Sequence, residues 1–184
     1  MSGGVYVVGA YVMFAVLVAA AAVGLRGTIP WAHPSPTWPL TPLAATAWSV
    51  VSSAAIAVLV IAFSRIASRR FDWAQRLADS FRPTAASFSS AEIVAIALAS
   101  SVAEELLFRA VLVPWVGVLP SAIAFGLAHQ MKGSSRFAWI AFSFVVGAGL
   151  AEIYAAIGSL VGPIVAHAAI NASNLAWLKS DGPR

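Results

Sequence analysis

Charged and polar side chains interrupt several long apolar stretches of this sequence. A charge at the centre of a bilayer costs at least about 2.5–3.5 kcal/mol on insertion scales, so such residues usually face a bundle interior or a water-filled cavity and are functional candidates. Carboxylate, imidazole and amide groups could supply a general base and hydrogen-bond donors to an oxyanion. The residues concerned are Glu104, Glu105, Arg109, His129, Glu152, His167 and Asn171.

The two adjacent glutamates predict a division of labour. On a helix, Glu105 and Arg109 are four residues apart with the glutamate first, which is the favourable order for an ion pair. Glu104 lies about 100° around the helix from Glu105, so it points elsewhere, away from that partner. We therefore expect a structural role for Glu105 and Arg109 and a chemical role for Glu104. A purely structural charge network is an equally open alternative.

Two further helical faces each carry a histidine. Phe125 and His129 are four residues apart, as are His167 and Asn171, and Asn174 extends the second face by nearly one turn. Each face could simply serve hydrogen bonding inside a bundle, a common use of His and Asn in membranes. Together with a glutamate, however, they would provide a base, a polarising imidazole and oxyanion donors. That set suits hydrolysis in a water-filled cavity.

The composition indicates that the solvent of this protein is mostly lipid. Of the 184 residues, 60% are hydrophobic and 10% are charged, whereas soluble domains average about 45–50% and about 25%. This excludes a disordered chain, an ordinary soluble enzyme and a nucleic-acid module, because eleven Lys and Arg are too few for a surface that tracks phosphates. The sequence contains no Cys, so it has neither disulfides nor thiolate metal sites.

The apolar stretches predict an all-α polytopic membrane protein. A transmembrane helix needs about 20 apolar residues, and six stretches approach or reach that length, although the fourth is short and interrupted by Pro120. We expect a single membrane-embedded domain over residues 1–184, a bundle of about six helices around a polar site. The stretches are Val5–Leu25, Ala44–Phe63, Ala91–Val113, Trp115–Gln130, Phe137–Ile157 and Leu160–Leu178.

Two connections between these stretches are distinctive. Gly27–Pro42 holds five prolines and two tryptophans, so it cannot be a helix and suits the headgroup layer. Residues 64–90 carry five arginines against two aspartates. We interpret this segment as a basic amphipathic helix on an anionic leaflet, rather than a solvated connection, because it combines arginines with aromatic residues. Its apolar residues at helical spacing are Phe71, Trp73, Leu77 and Phe81.

The basic residues also predict the orientation in the membrane. If residues 64–90 are cytoplasmic, six crossings place the Lys132–Arg136 loop and the Lys179–Arg184 tail on the same side. Nine of the eleven basic residues then lie in the cytoplasm: five in residues 64–90, two in the loop and two in the tail. Arg26 lies outside, and Arg109 lies within a helix. We therefore expect a multi-pass protein of the bacterial inner membrane, with both termini in the cytoplasm.

The three motifs Glu-Glu-x-x-x-Arg (104–109), Phe-x-x-x-His (125–129) and His-x-x-x-Asn (167–171) occur in this order. They resemble the signature of the CPBP intramembrane proteases, also called the Abi family, which includes CAAX-processing type II endopeptidases and bacteriocin-processing enzymes. The resemblance covers the expected catalytic core, residues 90–174, and the first two helices carry no part of it. It implies an α-helical membrane protease of the glutamic type.

The resemblance also implies residue roles. Glu104 would be the general base, with His129 helping to hold and polarise the attacking water. His167 and Asn171 would stabilise the tetrahedral oxyanion. Structural support would come from Glu105, Arg109 and Phe125.

We expect no cofactor, and zinc is the alternative. Glu104, His129 and His167 would form a His₂Glu set, which suits zinc with an open water position. The resemblance favours a metal-free mechanism. The expected partners are the lipid bilayer and a membrane-anchored protein or peptide substrate, with no nucleic acid.

Three substrates remain open at this point: a C-terminal sorting signal at the outer face, as in the myxosortase-type branch, a prenylated CAAX tail, or a bacteriocin-like peptide. At about 1.5 Å per residue, Glu104 and His167 lie about two-thirds of the way from the inner face, and His129 lies closer to it unless the Pro120 region shifts that helix. This count favours the outer face. The alternative of another class is a non-catalytic scaffold or a proton-coupled transporter. A transporter would use Glu152 as well as Glu104.

Overall fold

The computed structural model describes residues 3–27 and 30–180, apart from the side chain of Arg26. The predicted outer position of Arg26 and the end of the predicted cytoplasmic tail, residues 181–184, therefore lie outside the described residues. In the described part of the chain, one isolated β-bridge joins Ala32 to Ser159 and the remaining elements are helices. The predicted all-α class is confirmed.

Apart from the proline-rich connection between the first two, the helices follow one another with short connections. They are α1 (Gly3–Arg26), α2 (Pro42–Arg70), α3 (Asp72–Ala86), α4 (Ser90–Glu105), a π-helical segment (Leu106–Leu112), α5 (Val113–Val116), α6 (Val118–Ala128), α7 (Arg136–Ile157) and α8 (Val161–Ser180). Helix α4, the π-helical segment and α5 form one unbroken helical run over residues 90–116. Gly117 ends that run with a φ of 85°, a conformation that favours glycine.

Three described helices are long and apolar enough to cross a bilayer: α1 over Gly3–Leu25, α2 and α7. The fourth predicted stretch, Trp115–Gln130, differs from expectation because it contains a helix of only 11 residues, α6. At 1.5 Å per residue α6 is about 16 Å long, roughly half of the hydrocarbon thickness. Helix α6 is therefore too short to cross the bilayer, and the position of its end matters for the site below.

Helices α2 and α8 pack closely through small residues. Ala45, Ser49, Ser53 and Ala57 are buried and recur every four residues along α2. On α8, a methyl group at Gly162 would collide with the backbone of Ser49. Small residues allow such approach where no hydrophobic effect drives two helices together in lipid.

The proline-rich connection covers one end of the bundle. As expected it is not helical in its described part, residues 30–41. The backbone N–H of His33 donates to the carbonyl of Gly158 at 2.8 Å, and that of Trp38 donates to Ala156 at 2.8 Å. Beneath it lies an apolar cluster that closes this end of the bundle, formed by Val18, Leu106, Ala110, Val113, Ala151, Tyr154 and Leu160.

Helix α3 lies at the opposite end of the bundle. The predicted helix is present, but its apolar residues do not share one lipid-facing surface. Leu77 and Phe81 line a cavity and are partly buried, Trp73 lines the same cavity but is also exposed, and Phe71 is exposed outside it. The reason is that the C-terminal end of α8 offers apolar surface to α3, and Leu178 packs there in a cluster with two alanines of α3.

Candidate active site

The two glutamates end α4, at the point where the π-helical segment begins. Such π-helical turns occur frequently at functional sites. Arg109 lies inside this segment, and its Nε is 3.0 Å from Oε2 of Glu105. The Arg109 guanidinium also donates from Nη2 to the carbonyl of Gly147 at 3.2 Å. The ion pair expected from the spacing is therefore present, and both side chains are buried.

Glu105 has a second partner that the spacing could not reveal. Its Oε1 lies 2.8 Å from Nδ1 of His167, so the imidazole donates this hydrogen bond. One carboxylate thus holds Arg109 with one oxygen and His167 with the other. The bond fixes the orientation of the His167 ring and directs its Nε2 towards Glu104.

Glu104 points away from this network, as its position on the helix predicts. Its Oε2 lies 3.6 Å from Nε2 of His129 and 4.0 Å from Nε2 of His167. Both distances exceed normal hydrogen-bond lengths. The carboxylate therefore faces two imidazoles from two other helices without being bound to either, and it keeps 14% of its side chain exposed.

His129 immediately follows α6 and is held from several sides. Its Nδ1 lies 2.7 Å from the carbonyl of Phe125, so Nδ1 carries a proton and Nε2 is left to accept one in the neutral ring. The rings of Phe125 and Trp139 lie 4.4 and 5.5 Å from the imidazole, centre to centre. The Phe125 ring in turn lies beneath the Arg109 guanidinium, at 4.3 Å.

The level of His129 corrects the depth count. That count placed His129 closer to the inner face than Glu104 and His167, unless the Pro120 region shifted the short fourth helix. Because α6 ends after 11 residues, His129 instead lies beside both groups. The three side chains therefore share one level, and His129 does not mark a separate depth.

Asn171 and Asn174 lie on the same face of α8 as His167. The Asn171 amide donates to the hydroxyl of Ser100 at 3.4 Å, while the Asn174 carbonyl accepts from Arg65 of α2 at 2.6 Å. Both asparagines line the same cavity as Glu104. The structure thus brings together the predicted base, both histidines and Asn171.

The cavity has a volume of about 310 Å³ and two different ends. One end carries the polar groups Glu104, His129 and His167. From there it extends between α2, α7 and α8 to the inner face of α3, where Trp73, Leu77 and Phe81 line it. In the other direction lies the apolar cluster beneath the proline-rich connection, whose members do not line the cavity.

Sequence reasoning missed two residues that reach the site. Tyr11 of α1 lines the cavity, and its hydroxyl interacts with the Glu104 carboxylate. Trp139 of α7 contacts His129 as described above. Tyr11 had a weak signal, since it is one of two tyrosines in an otherwise apolar stretch, but only the packing of α1 along α4 shows which group it meets. Glu152, by contrast, is exposed on α7 and does not line the cavity.

The zinc alternative would need Glu104, His129 and His167 as ligands. Among the residues that the structure describes, no three His, Asp or Glu side chains form a group that could hold a metal ion. Nδ1 of His129 is already hydrogen-bonded to the Phe125 carbonyl, and Nδ1 of His167 to Glu105. The remaining nitrogens face the same carboxylate oxygen of Glu104.

A polar cavity enclosed by apolar helices indicates a membrane protein with polar groups inside its helical bundle. Residues 86–173, just under half of the chain, match the family described as Type II CAAX prenyl endopeptidase Rce1-like. The match covers all three motifs, so it confirms their resemblance to the CPBP family and indicates a membrane protease. The match gives no indication of the myxosortase-type branch. No curated protein and no solved structure matches the chain significantly.

Proposed function

We propose that this protein is a glutamic-type intramembrane endopeptidase that cleaves near the membrane-anchored C-terminal end of its substrates. One observation carries the proposal: the Glu104 carboxylate faces two imidazoles, at 3.6 and 4.0 Å, on the wall of a cavity. A carboxylate that lines a cavity, and lies near two imidazoles without a hydrogen bond to either, is suited to act as a general base.

The first step is attack of water on the peptide carbonyl. Glu104 takes a proton from a water molecule that Nε2 of His129 helps to hold, and the water oxygen bonds to the carbonyl carbon. His167, with a proton on each ring nitrogen and so paired with the Glu105 carboxylate, and the Asn171 amide, one turn away on α8, donate hydrogen bonds to the resulting oxyanion. The carbon–nitrogen bond then breaks, and the proton on Glu104 passes to the leaving amine.

The supporting residues act by holding these groups in place. Glu105 accepts from Nδ1 of His167 and so aims its Nε2 into the cavity, while the Phe125 carbonyl does the same for His129. Arg109 balances the charge of Glu105. Fixed orientation matters because small displacements of catalytic groups reduce rates strongly.

The shape of the cavity favours access from the side of α3. By the positive-inside rule, the arginines around α3 favour a cytoplasmic position for that side. Arg69, Arg70 and Arg76 are exposed and suited to an anionic leaflet. We therefore propose cytoplasmic access and a CAAX-type substrate, in agreement with the family description, rather than the outer-face sorting reaction that the depth count favoured.

A metal-free reaction is part of the proposal. We expect the purified protein to keep its activity in the presence of a chelator, because Glu104 and the two histidines suffice to activate water. Loss of activity on chelation, with rescue by zinc, would instead assign Glu104, His129 and His167 to a metal site.

The experiment that tests the function compares the termini of membrane proteins in cells that carry wild-type protein, Glu104→Gln or Glu152→Gln. The first substitution removes the base and keeps its size, and the second removes an exposed glutamate as a matched control. We expect specific C-terminal processing to disappear in Glu104→Gln cells alone. Unchanged termini in a stably inserted Glu104→Gln variant would contradict the proposal.

A further inference from the structure

A second polar group lies in the part of the cavity towards α3, away from Glu104. It consists of Arg65 on α2 and of Asn174, Ser173 and Trp177 on α8. The Arg65 guanidinium donates to Asn174 Oδ1 at 2.6 Å and to the carbonyl and hydroxyl of Ser173 at 2.9 and 3.0 Å. It also lies 4.4 Å from the centre of the Trp177 ring. The family match starts at residue 86, so Arg65 lies outside it.

The charge of Arg65 is not neutralised. Its contacts above are all with neutral groups, and within the described part of the chain no carboxylate pairs with it. A second guanidinium, that of Arg82, lies 5.4 Å from the same Trp177 ring. Arg82 is paired with Asp79 at 2.9 Å, so the uncompensated positive charge here is that of Arg65, which would attract an anion to this part of the cavity.

The Asn174 amide lies between Arg65 and the cavity. Its oxygen is taken by Arg65, so its NH₂ group is the part left for other partners, and this group has no partner among the described residues. Asn174 itself lines the cavity. An amide whose orientation is fixed by a guanidinium presents a donor suited to a carboxylate.

The distance between the two polar ends fits a short peptide. His167 and Asn174 are seven residues apart on one face of α8, which corresponds to about 10 Å along the axis. An extended chain spans about 3.3–3.6 Å per residue. About three residues therefore fit between a carbonyl at His167 and a group bound at Asn174.

We propose that Asn174, backed by Arg65, binds the free C-terminal carboxylate of the substrate and so sets the distance from the chain end to the cleaved bond. This inference rests on the proposed function, since it assigns the direction in which a substrate lies in the cavity. The negative charge of Glu104 at one end and the positive charge of Arg65 at the other favour the same direction.

The test measures binding to the Glu104→Gln protein, which should not hydrolyse its ligand. The probes are a farnesylated CAAX-type peptide with a free C-terminal carboxylate and the same peptide with a C-terminal amide, added to protein in phosphatidylcholine vesicles. We expect the carboxylate peptide to bind at least about ten-fold more tightly, as hydrogen bonds to a charged group would give.

Three further variants in this background sharpen the test. Asn174→Asp keeps the contact with Arg65 but replaces the NH₂ donor by a carboxylate oxygen, so the preference should disappear without loss of the fold. Arg65→Gln should also abolish it. Arg69→Gln removes an exposed arginine one turn further along α2 and should leave the preference unchanged.

Four results would overturn the proposal: equal binding of the two peptides, binding of neither, an unchanged preference in Asn174→Asp, or an equal loss in Arg69→Gln, which would indicate general electrostatic attraction. Failure of the proposed function gives a different result. In that case the carboxylate preference would persist, but protein with Glu104 intact would not cleave the bound peptide.

Discussion

The side chains of Glu104 and Glu105 leave α4 in different directions and enter two different regions of the bundle. Glu105 is completely buried, with one oxygen on Arg109 and the other on His167. Glu104 lines the cavity, is 14% exposed, and has two imidazoles near it but bonded to neither. We call these the ion-pair region and the cavity region.

The difference shows how one residue type serves two purposes in a membrane protein. A buried carboxylate is tolerated when its charge is paired, and removing one partner leaves an uncompensated charge. A carboxylate that must accept a proton from water has to remain accessible and unpaired. We therefore expect changes in the cavity region to reduce activity, and changes in the ion-pair region to reduce stability as well.

The largest effect is expected in the cavity region. Glu104→Gln should lower kcat by about 10²–10⁴-fold, the usual contribution of a general base, because the amide cannot take the proton. Thermal unfolding in detergent should remain unchanged, since the lost carboxylate has no ion-pair partner within hydrogen-bond distance. A large fall in the melting temperature would place Glu104 in the ion-pair region instead.

In the ion-pair region we expect the stability of the fold to fall. Glu105→Gln leaves the buried Arg109 charge without compensation, which we expect to destabilise the fold by about 3–5 kcal/mol. The measurement is the unfolding free energy in detergent, with activity assayed on the protein that survives. In the double variant with Arg109→Met the loss should be smaller than the sum of the single losses. Additive losses would show that the two residues do not depend on each other.

A smaller effect is expected from Tyr11, which reaches the cavity region from α1. Tyr11→Phe removes the hydroxyl that interacts with Glu104 and should lower kcat about ten-fold with KM unchanged. Tyr6→Phe, on the same helix and 64% exposed, is the matched control and should have no effect. In a Glu104→Gln background the Tyr11 substitution should cause no further loss. A further ten-fold loss there would mean that Tyr11 acts independently of Glu104.

The smallest effect is expected at Glu152, which lies in neither region. Glu152→Gln should change activity and stability little, within about 0.5 kcal/mol, because the side chain is exposed. The same protease assay and unfolding measurement check this. A loss as large as that of Glu104→Gln would favour a proton relay through both glutamates, as a transporter requires.

The sequence predicted the fold class and the helical segments well, because lipid leaves the backbone few choices. Each apolar stretch had to become a helix, and the five prolines of Gly27–Pro42 had to interrupt one. The length of individual helices was predicted less well. The apolar character of Trp115–Gln130 did not reveal that its helix would shrink to α6, since the turn at Gly117 depends on packing as well as on glycine.

The candidate site was predictable where its residues lie one helical turn apart. The spacing of Glu105 and Arg109 predicted their ion pair, and that of His167 and Asn171 predicted their common face. Contacts between distant segments gave no such signal. The bond from His167 to Glu105 spans 62 positions, and Tyr11 meets Glu104 only because α1 packs along α4.

The sequence by itself determined that this protein is a helical membrane protein with carboxylates, imidazoles and amides inside its bundle. Hydrophobicity and helical periodicity act locally, so the order of residues is enough to fix them. Only the tertiary structure decided that His129 lies level with Glu104, that Glu105 orients His167, and that the cavity runs towards α3. These relations depend on how far each helix extends and which neighbour it packs against, and no short stretch of sequence contains that information.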